Sequence, residues 1–202
     1  MPTVSVIIPT FNRATMLKEA IESVLEQDVA DFELIVVDDG STDETPAVLA
    51  KYPAPPLHIV SQVHQGVSAA RNAGLKKAAG GLIAFLDSDD LWLPGKLAAQ
   101  MEFFENHPEA LICQTEEIWL RNGIRVNPKK RHAKPQGMIF DRCVDLCLVS
   151  PSAVMIRRAL FDMVGLFDEQ MAACEDYDLW LRVACRFPIY LIDRPMVIKR
   201  AG

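Results

Sequence analysis

Asp87 and Asp89, with Ser88 between them, follow the apolar run Leu82 to Leu86. In an extended segment, residues two apart point to the same side. The pair would therefore present two carboxylates together at a strand's mouth. That suits a hard divalent cation, since magnesium or manganese is commonly held by one or two carboxylates and completed by substrate phosphates. Taken alone, a D-x-D stretch is more often a loop whose aspartates cap backbone groups. Arg71 is the second candidate. It lies four residues from both Val67 and Leu75, inside a helical stripe of Val67, Ala70, Gly74, Leu75 and Ala78. A guanidinium on such a face needs an anionic partner; an ion pair with Asp38 or Asp87 and a contact to a bound nucleotide are equal readings. The third candidate is Asp38-Asp39, inside VVDDGSTDET. Neighbours on a strand point to opposite faces. One carboxylate can turn into a cleft and accept the imide N–H of uracil or thymine, while the other bonds back to the backbone; the alternative is that both only shape the turn before Ser41. The fourth is Cys174-Glu175-Asp176-Tyr177-Asp178. Acids in a helix's first turn are favoured by the dipole by about 0.3–1 kcal/mol each, which alone accounts for them. Asp176, four residues before Trp180, can nevertheless look toward a cleft and serve as a general base. The dipole is expected to keep it ionised.

These residues need elements to position them. Thr3–Pro9, Phe32–Val37, Leu57–Val60 and Leu82–Leu86 are short, apolar, partly β-branched runs, read as strands. Leu17, Ala20, Ile21, Val24 and Leu25 have helical spacing. Ser41 and Glu44 predict a capping box opening a helix, Gly66–Ala79 a further helix, and Pro94 the start of another that stops near His107-Pro108. Strands alternating with helices predict a doubly wound, mostly parallel sheet, and continuous apolar strands fit a sheet covered on both faces. Ligands of such sheets bind outside the carboxyl ends of the strands. Three strands end there in polar clusters, Pro9-Thr10-Phe11-Asn12, Asp38-Asp39 and Asp87-Ser88-Asp89-Asp90. The second half differs. Ala110–Leu120 and Ile124–Asn127 around Asn122-Gly123 predict a hairpin, Lys129–Pro135 a basic loop, Ser152–Ile156 a strand, Glu175–Phe187 a helix and Ile189–Ile192 a closing strand. This gives an α/β fold with a small antiparallel extension. Residues 1–108 and 109–202 are expected to form two halves of a single domain.

Bulk properties narrow the function. Half of the 202 residues are apolar and 24% are charged, so a core can form and disorder is not expected. A net charge of −6 argues against general nucleic-acid binding. Five cysteines without a CxxC pair read as reduced thiols in the core of a cytoplasmic protein, and zinc is not expected. The N-terminus does not read as a signal peptide, and no run approaches the roughly 18 apolar residues of a membrane span. Contact with the inner face of a membrane, through Lys129, Lys130 and Arg131, stays open beside a solvated loop.

Together SVIIPTFNR, ELIVVDDGSTDET, GVSAARNAGL, IAFLDSDD and CEDYDLWLR, in this order, resemble the inverting glycosyltransferases of family 2, which have the GT-A fold of nucleotide-diphospho-sugar transferases. The resemblance runs from Val4 to about Ile192. It implies that the first strand's exit loop, Pro9, Thr10, Phe11 and Asn12, wraps a nucleotide, that Asp39 binds the uracil ring, and that Arg71 lies at the nucleotide. It implies Asp89 as the ligand of Mn2+ or Mg2+, with Asp87, beside Ser88, holding ribose or metal. It matches Glu175-Asp176 to the family's E-D motif, with Asp176 as the base of a single displacement from a UDP-sugar donor to an acceptor hydroxyl. The acceptor would be a glycan, a lipid-linked sugar or a small molecule. Many GT-A enzymes add a metal-binding histidine beyond the last strand; here the last histidine is His132. A nucleotidyltransferase is the rival enzyme, but PTFNRATM lacks the glycine-rich basic signature expected of one; a non-catalytic nucleotide-sugar-binding module is the rival binder. His58 and His64 read as surface or strand-end residues, and Trp119 and Trp180 as core. Trp92 is a weak candidate for a wall of the donor-sugar site.

Overall fold

A computed structural model describes residues 1–127 and 129–201. The elements are β1 (Val4–Thr10), α1 (Ala14–Leu25), β2 (Phe32–Asp38), α2 (Thr45–Leu49), β3 (Leu57–Ser61), α3 (Val67–Lys77), β4 (Leu82–Phe85), β5 (Leu91–Trp92), α4 (Lys96–Asn106), β6 (Ile112–Arg121), β7 (Ile124–Val126), α5 (Phe140–Asp145), β8 (Val154–Arg157), α6 (Ala159–Val164), α7 (Glu175–Ala184) and β9 (Tyr190–Ala201). One sheet runs in the order β3-β2-β1-β4-β8-β6-β9-β5, with β7 on β6. β3, β2, β1 and β4 are parallel. β8 enters antiparallel between β4 and β6, and β9 runs parallel to β6 and antiparallel to β5. The fold is the expected α/β sheet, mostly parallel with antiparallel strands at one side.

Both faces are covered, which is why the strands carry no alternation of polar residues. Val4, Val6 and Ile8 of β1 point into one core with Leu17 and Ile21 of α1 and Leu97 and Phe104 of α4. Ile7 points into the other with Leu75 of α3, Phe85, and Leu179, Trp180 and Val183 of α7. Gly74 lets α3 lie close to the sheet: a Cβ there would stand 2.4 Å from Ile7 Cγ2.

Several local expectations differ. The Ser41–Glu44 capping box does not form, because Ser41 Oγ accepts the amide of Asn12 instead and α2 begins only at Thr45. Val67 is exposed, so the buried stripe of α3 starts at Ser68. The last strand is longer than Ile189–Ile192, because β9 pairs along the whole of β6 with a bulge near Glu116. α5, α6 and β5 are too short to leave a periodic signal. Only Cys113 and Cys143 are buried; Cys147, Cys174 and Cys185 are exposed. Trp180 is core as expected, whereas Trp119 is half-buried and borders a cavity.

Candidate active site

The parallel register sets Thr10 beside Asp38 at the carboxyl ends of β1 and β2. Beyond them, with the loop after β4, lies an open cleft of about 400 Å³ lined by Pro9, Thr10, Phe11, Asp39, Arg71, Asp87, Ser88 and Asp89, among others. Asn12 does not face it. Its Oδ1 accepts the amides of Thr42 (2.8 Å) and Asp43 (3.3 Å), so the side chain ties the first exit loop to the second. Two buried atoms of cleft residues, Thr10 Oγ1 and Arg71 Nε, have no hydrogen-bond partner among the described residues. Buried polar atoms are normally satisfied, and an orphan of this kind marks a place for a ligand.

The two adjacent aspartates divide their work. Asp38 Oδ1 accepts the amide of Ser41 at 3.0 Å and shapes the turn. Asp39 turns into the cleft, where Oδ1 accepts Gln62 Nε2 (2.7 Å) and the Gln65 amide (2.9 Å), and Oδ2 accepts the Gly66 amide (2.8 Å). Gly40 between these loops has φ +78°, and a Cβ on it would lie 2.8 Å from the backbone nitrogen of His64. The apolar run therefore ends in D-D-G because one acid closes its own turn, the other anchors the loop after β3, and only glycine fits between them.

Arg71, buried on α3, joins the cleft to α7. Its Nη2 donates to Asp87 Oδ1 at 2.7 Å and its Nη1 to Glu175 Oε1 at 2.5 Å. Burial works against its charge, but these two carboxylates outweigh it and raise its affinity for the proton. Of the two partners weighed for this arginine, Asp87 is the one it takes, and Asp38 is not. Asp89 presents its carboxylate to the cleft with no protein donor on it among the described residues; only its backbone carbonyl is held, by Arg200. Among the described residues no group of three or more acidic, histidine or cysteine side chains could hold a metal. A free Asp89 with Asp87 beside it is nonetheless the donor set that fits magnesium or manganese, which takes few carboxylates and completes its shell with phosphate oxygens and water. Asp90 faces inward, accepting Ser152 Oγ (2.7 Å) and the Arg200 amide (2.9 Å). Burial and the neighbouring Asp87 push its carboxyl up to about 7.

Asp176 borders a separate cavity of about 300 Å³ with Glu117, Trp119, His132, Ser150 and Lys199. The helix dipole, expected to keep it ionised, is opposed here by burial. Burial raises its carboxyl from the ordinary aspartate value, with Glu175 and Asp87 adding to the shift, while Arg71 and the Tyr177 amide oppose it. A carboxylate so placed is a stronger base. Glu175 sits behind it, 8% exposed and committed to Arg71. Lys199 of β9 lies on the same cavity with its Nζ 3.2 Å from Ser150 Oγ, its charge supported by Glu117, Asp90, Asp87 and Asp176 despite burial. Trp92 does not border the donor cleft; it is buried, its indole N–H on the Ser152 carbonyl. Lys199, Trp119 and His64 carry no local signal of their position, since each reaches its site through residues distant in sequence.

The model of the family described as Glycosyl transferase family 2 matches residues 5–164. The chain is similar to an uncharacterized glycosyltransferase of Rickettsia felis, 34% identical over 96% of this chain and 32% of that protein. It therefore spans about a third of that relative's length. It is also similar to the Escherichia coli UDP-Glc:alpha-D-GlcNAc-diphosphoundecaprenol beta-1,3-glucosyltransferase WfgD, 31% identical over 89% of this chain and 69% of that protein. Among solved structures, S. aureus TarS 1–349 in complex with UDP-GlcNAc superposes with a TM-score of 0.84 at 26% identity, covering 100% of this chain and 59% of that one.

Proposed function

We propose that this chain, which belongs to glycosyl transferase family 2, is the part of a glycosyltransferase that moves a sugar from a nucleoside-diphosphate donor to an acceptor hydroxyl with inversion. A UDP-sugar is the favoured donor, in keeping with the UDP-GlcNAc complex of TarS and the UDP-Glc of WfgD. The observation that carries the reading is the Arg71 bridge: one guanidinium ties Asp87 of the donor cleft to Glu175, the neighbour of Asp176. Through Glu175 it ties the start of α7, which carries Asp176, to the cleft, as a positioned base requires.

In this reading Pro9, Thr10, Phe11, Asp39 and Arg71 receive the nucleotide, while Asn12 acts through the loop it holds. Asp176 takes the proton of the acceptor hydroxyl. The acceptor oxygen bonds to the anomeric carbon as the carbon–oxygen bond to the diphosphate breaks on the opposite face, and configuration inverts as it does in inverting glycosidases. Asp89 and Asp87 would hold Mn2+ or Mg2+, which when bound neutralises negative charge on the diphosphate. Outward from Asp176, the exposed cations Arg121, Arg125, Lys129, Lys130 and Arg131 cluster around the β6–β7 hairpin. That suits an acceptor bearing phosphate, such as the diphosphate-linked one in WfgD's name.

Calorimetric titration of UDP with and without Mn2+ tests the donor site. Metal-enhanced binding in the wild type that is lost in Asp89→Ala is expected. Binding of equal strength with and without metal in both proteins would remove Asp89 from the metal role.

A further inference from the structure

The contacts around Asp39 point to one more functional residue. The His64 ring lies flat on Phe11, with centroids 4.0 Å apart and planes 19° from parallel. Its Nδ1 stands 2.7 Å from Asp39 Oδ2 and 3.1 Å from the Asp39 carbonyl. Both neighbours are acceptors, so Nδ1 carries the hydrogen. We propose that this imidazole is an internal occupant of the base site: it makes the stack and the N–H to carboxylate bond that a uracil-type base would make, and a nucleotide must displace it to bind. The inference rests on the reading of Asp39 as the carboxylate that meets the base.

Acceptor capacity makes the competition unavoidable. A carboxylate offers about four lone-pair sites. Asp39 already receives four donors: Gln62 Nε2, the Gln65 and Gly66 amides, and His64. An imide N–H can join only by replacing one. The two amides belong to the backbone entering α3, where Gly66 is held at φ +95°. Gln62 and His64 are side chains, and of the two His64 also covers Phe11. Its side chain is 53% exposed while that of Asp39 is 3% exposed. The ring can therefore swing out without unpacking the core, and the carboxylate cannot. Arg13, Arg71, Asp87 and Asp89 are the other charged groups on this cleft, and none of them donates to Asp39. His64 thus sets donor affinity, because a base that stacks in its place on Phe11 and reaches the Asp39 carboxylate first breaks this pair.

UDP titrated into wild type and His64→Ala in the presence of Mn2+ tests this. Removing an exposed competitor is expected to tighten binding by roughly three- to tenfold, and the exposed position leaves the fold intact. Imidazole 1H–15N spectra give a second readout: the Nδ1–H tautomer signal, assigned by its loss in His64→Ala, should shift at saturating UDP. Equal or weaker UDP binding by His64→Ala, or an unmoved His64 signal in the UDP complex, overturns the proposal while leaving the donor site standing. Failure of the wild type itself to bind UDP overturns the donor reading, and this proposal with it.

Discussion

Asp176 is where chemistry and environment meet most directly. Loss of its carboxylate in Asp176→Asn should lower transfer by about 10²- to 10⁴-fold, the usual contribution of a general base. UDP binding should persist, because the side chain borders a cavity separate from the donor cleft. The sign of the pH effect follows from its burial. The base works ionised, and its carboxyl is raised, so kcat should fall on acidification at a higher pH than an unshifted aspartate would give. An acid limb at or below the unshifted aspartate value in the kcat profile would contradict that. Asp90 bears on stability instead. Its folded carboxyl, near 7 against 3.8, favours the protonated form, so its contribution is fully present below about pH 4 and is lost as pH rises through about 7. Chemical-denaturation midpoints of Asp90→Asn should therefore vary less across that window than those of the wild type. Residue type and spacing made Asp39, Asp87, Asp89 and Asp176 candidates beside plain readings as turn formers and helix-end acids, and the family resemblance supplied their roles. Neither could show that Asp39 is already filled with donors or that Asp176 is raised, because those depend on loops and helices brought in from elsewhere.

At the scale of elements, the contact between α3 and β1 is the tightest test of the architecture. Gly74→Ala gains about 1 kcal/mol of helix propensity but places a methyl group 2.4 Å from Ile7 Cγ2 in a filled core. Overpacking of this kind costs roughly 1–3 kcal/mol. The expected net result is destabilisation by about 1 kcal/mol in urea titration, and the increment due to Gly74→Ala should shrink when it is measured against an Ile7→Ala background. Independent, additive effects of the two substitutions would refute the contact. The α3 sequence was readable as a helix because its apolar positions recur at helical spacing, but the reason for a glycine inside it was not. That reason lies in a strand 67 residues earlier. The Ser41–Glu44 box shows the opposite failure. Its sequence pattern was complete, yet Asn12 claims Ser41 by tertiary contact, and local capping lost the competition.

At the scale of the molecule, the two halves share one sheet. β8 and β6 extend the sheet beyond β4, and β5 from the first half closes on β9 at the end of the chain. Arg71 repeats that connection in side chains. Arg71→Ala would leave Asp87 and Glu175 without their common cation, and breaking a buried pair from one side is expected to cost about 3 kcal/mol. Trp92 reports on one half, and Trp119 and Trp180 on the other. Fluorescence and circular dichroism should therefore report a single coincident transition in the wild type and in this variant; separated transitions would mean that the halves fold independently. The alternation of strands and helices, the parallel core and the acids at its mouth could be read from the residues along the chain. Hydrophobic runs and carboxylates beside them are local properties of the chain. Tertiary structure alone decided which carboxylate Arg71 takes, that Lys199 stands among Glu117, Asp90 and Asp176, that Trp119 borders a cavity, and that His64 fills the slot beside Asp39. Each of these depends on residues 16 to more than 100 positions apart being brought together, which no periodicity along the chain encodes.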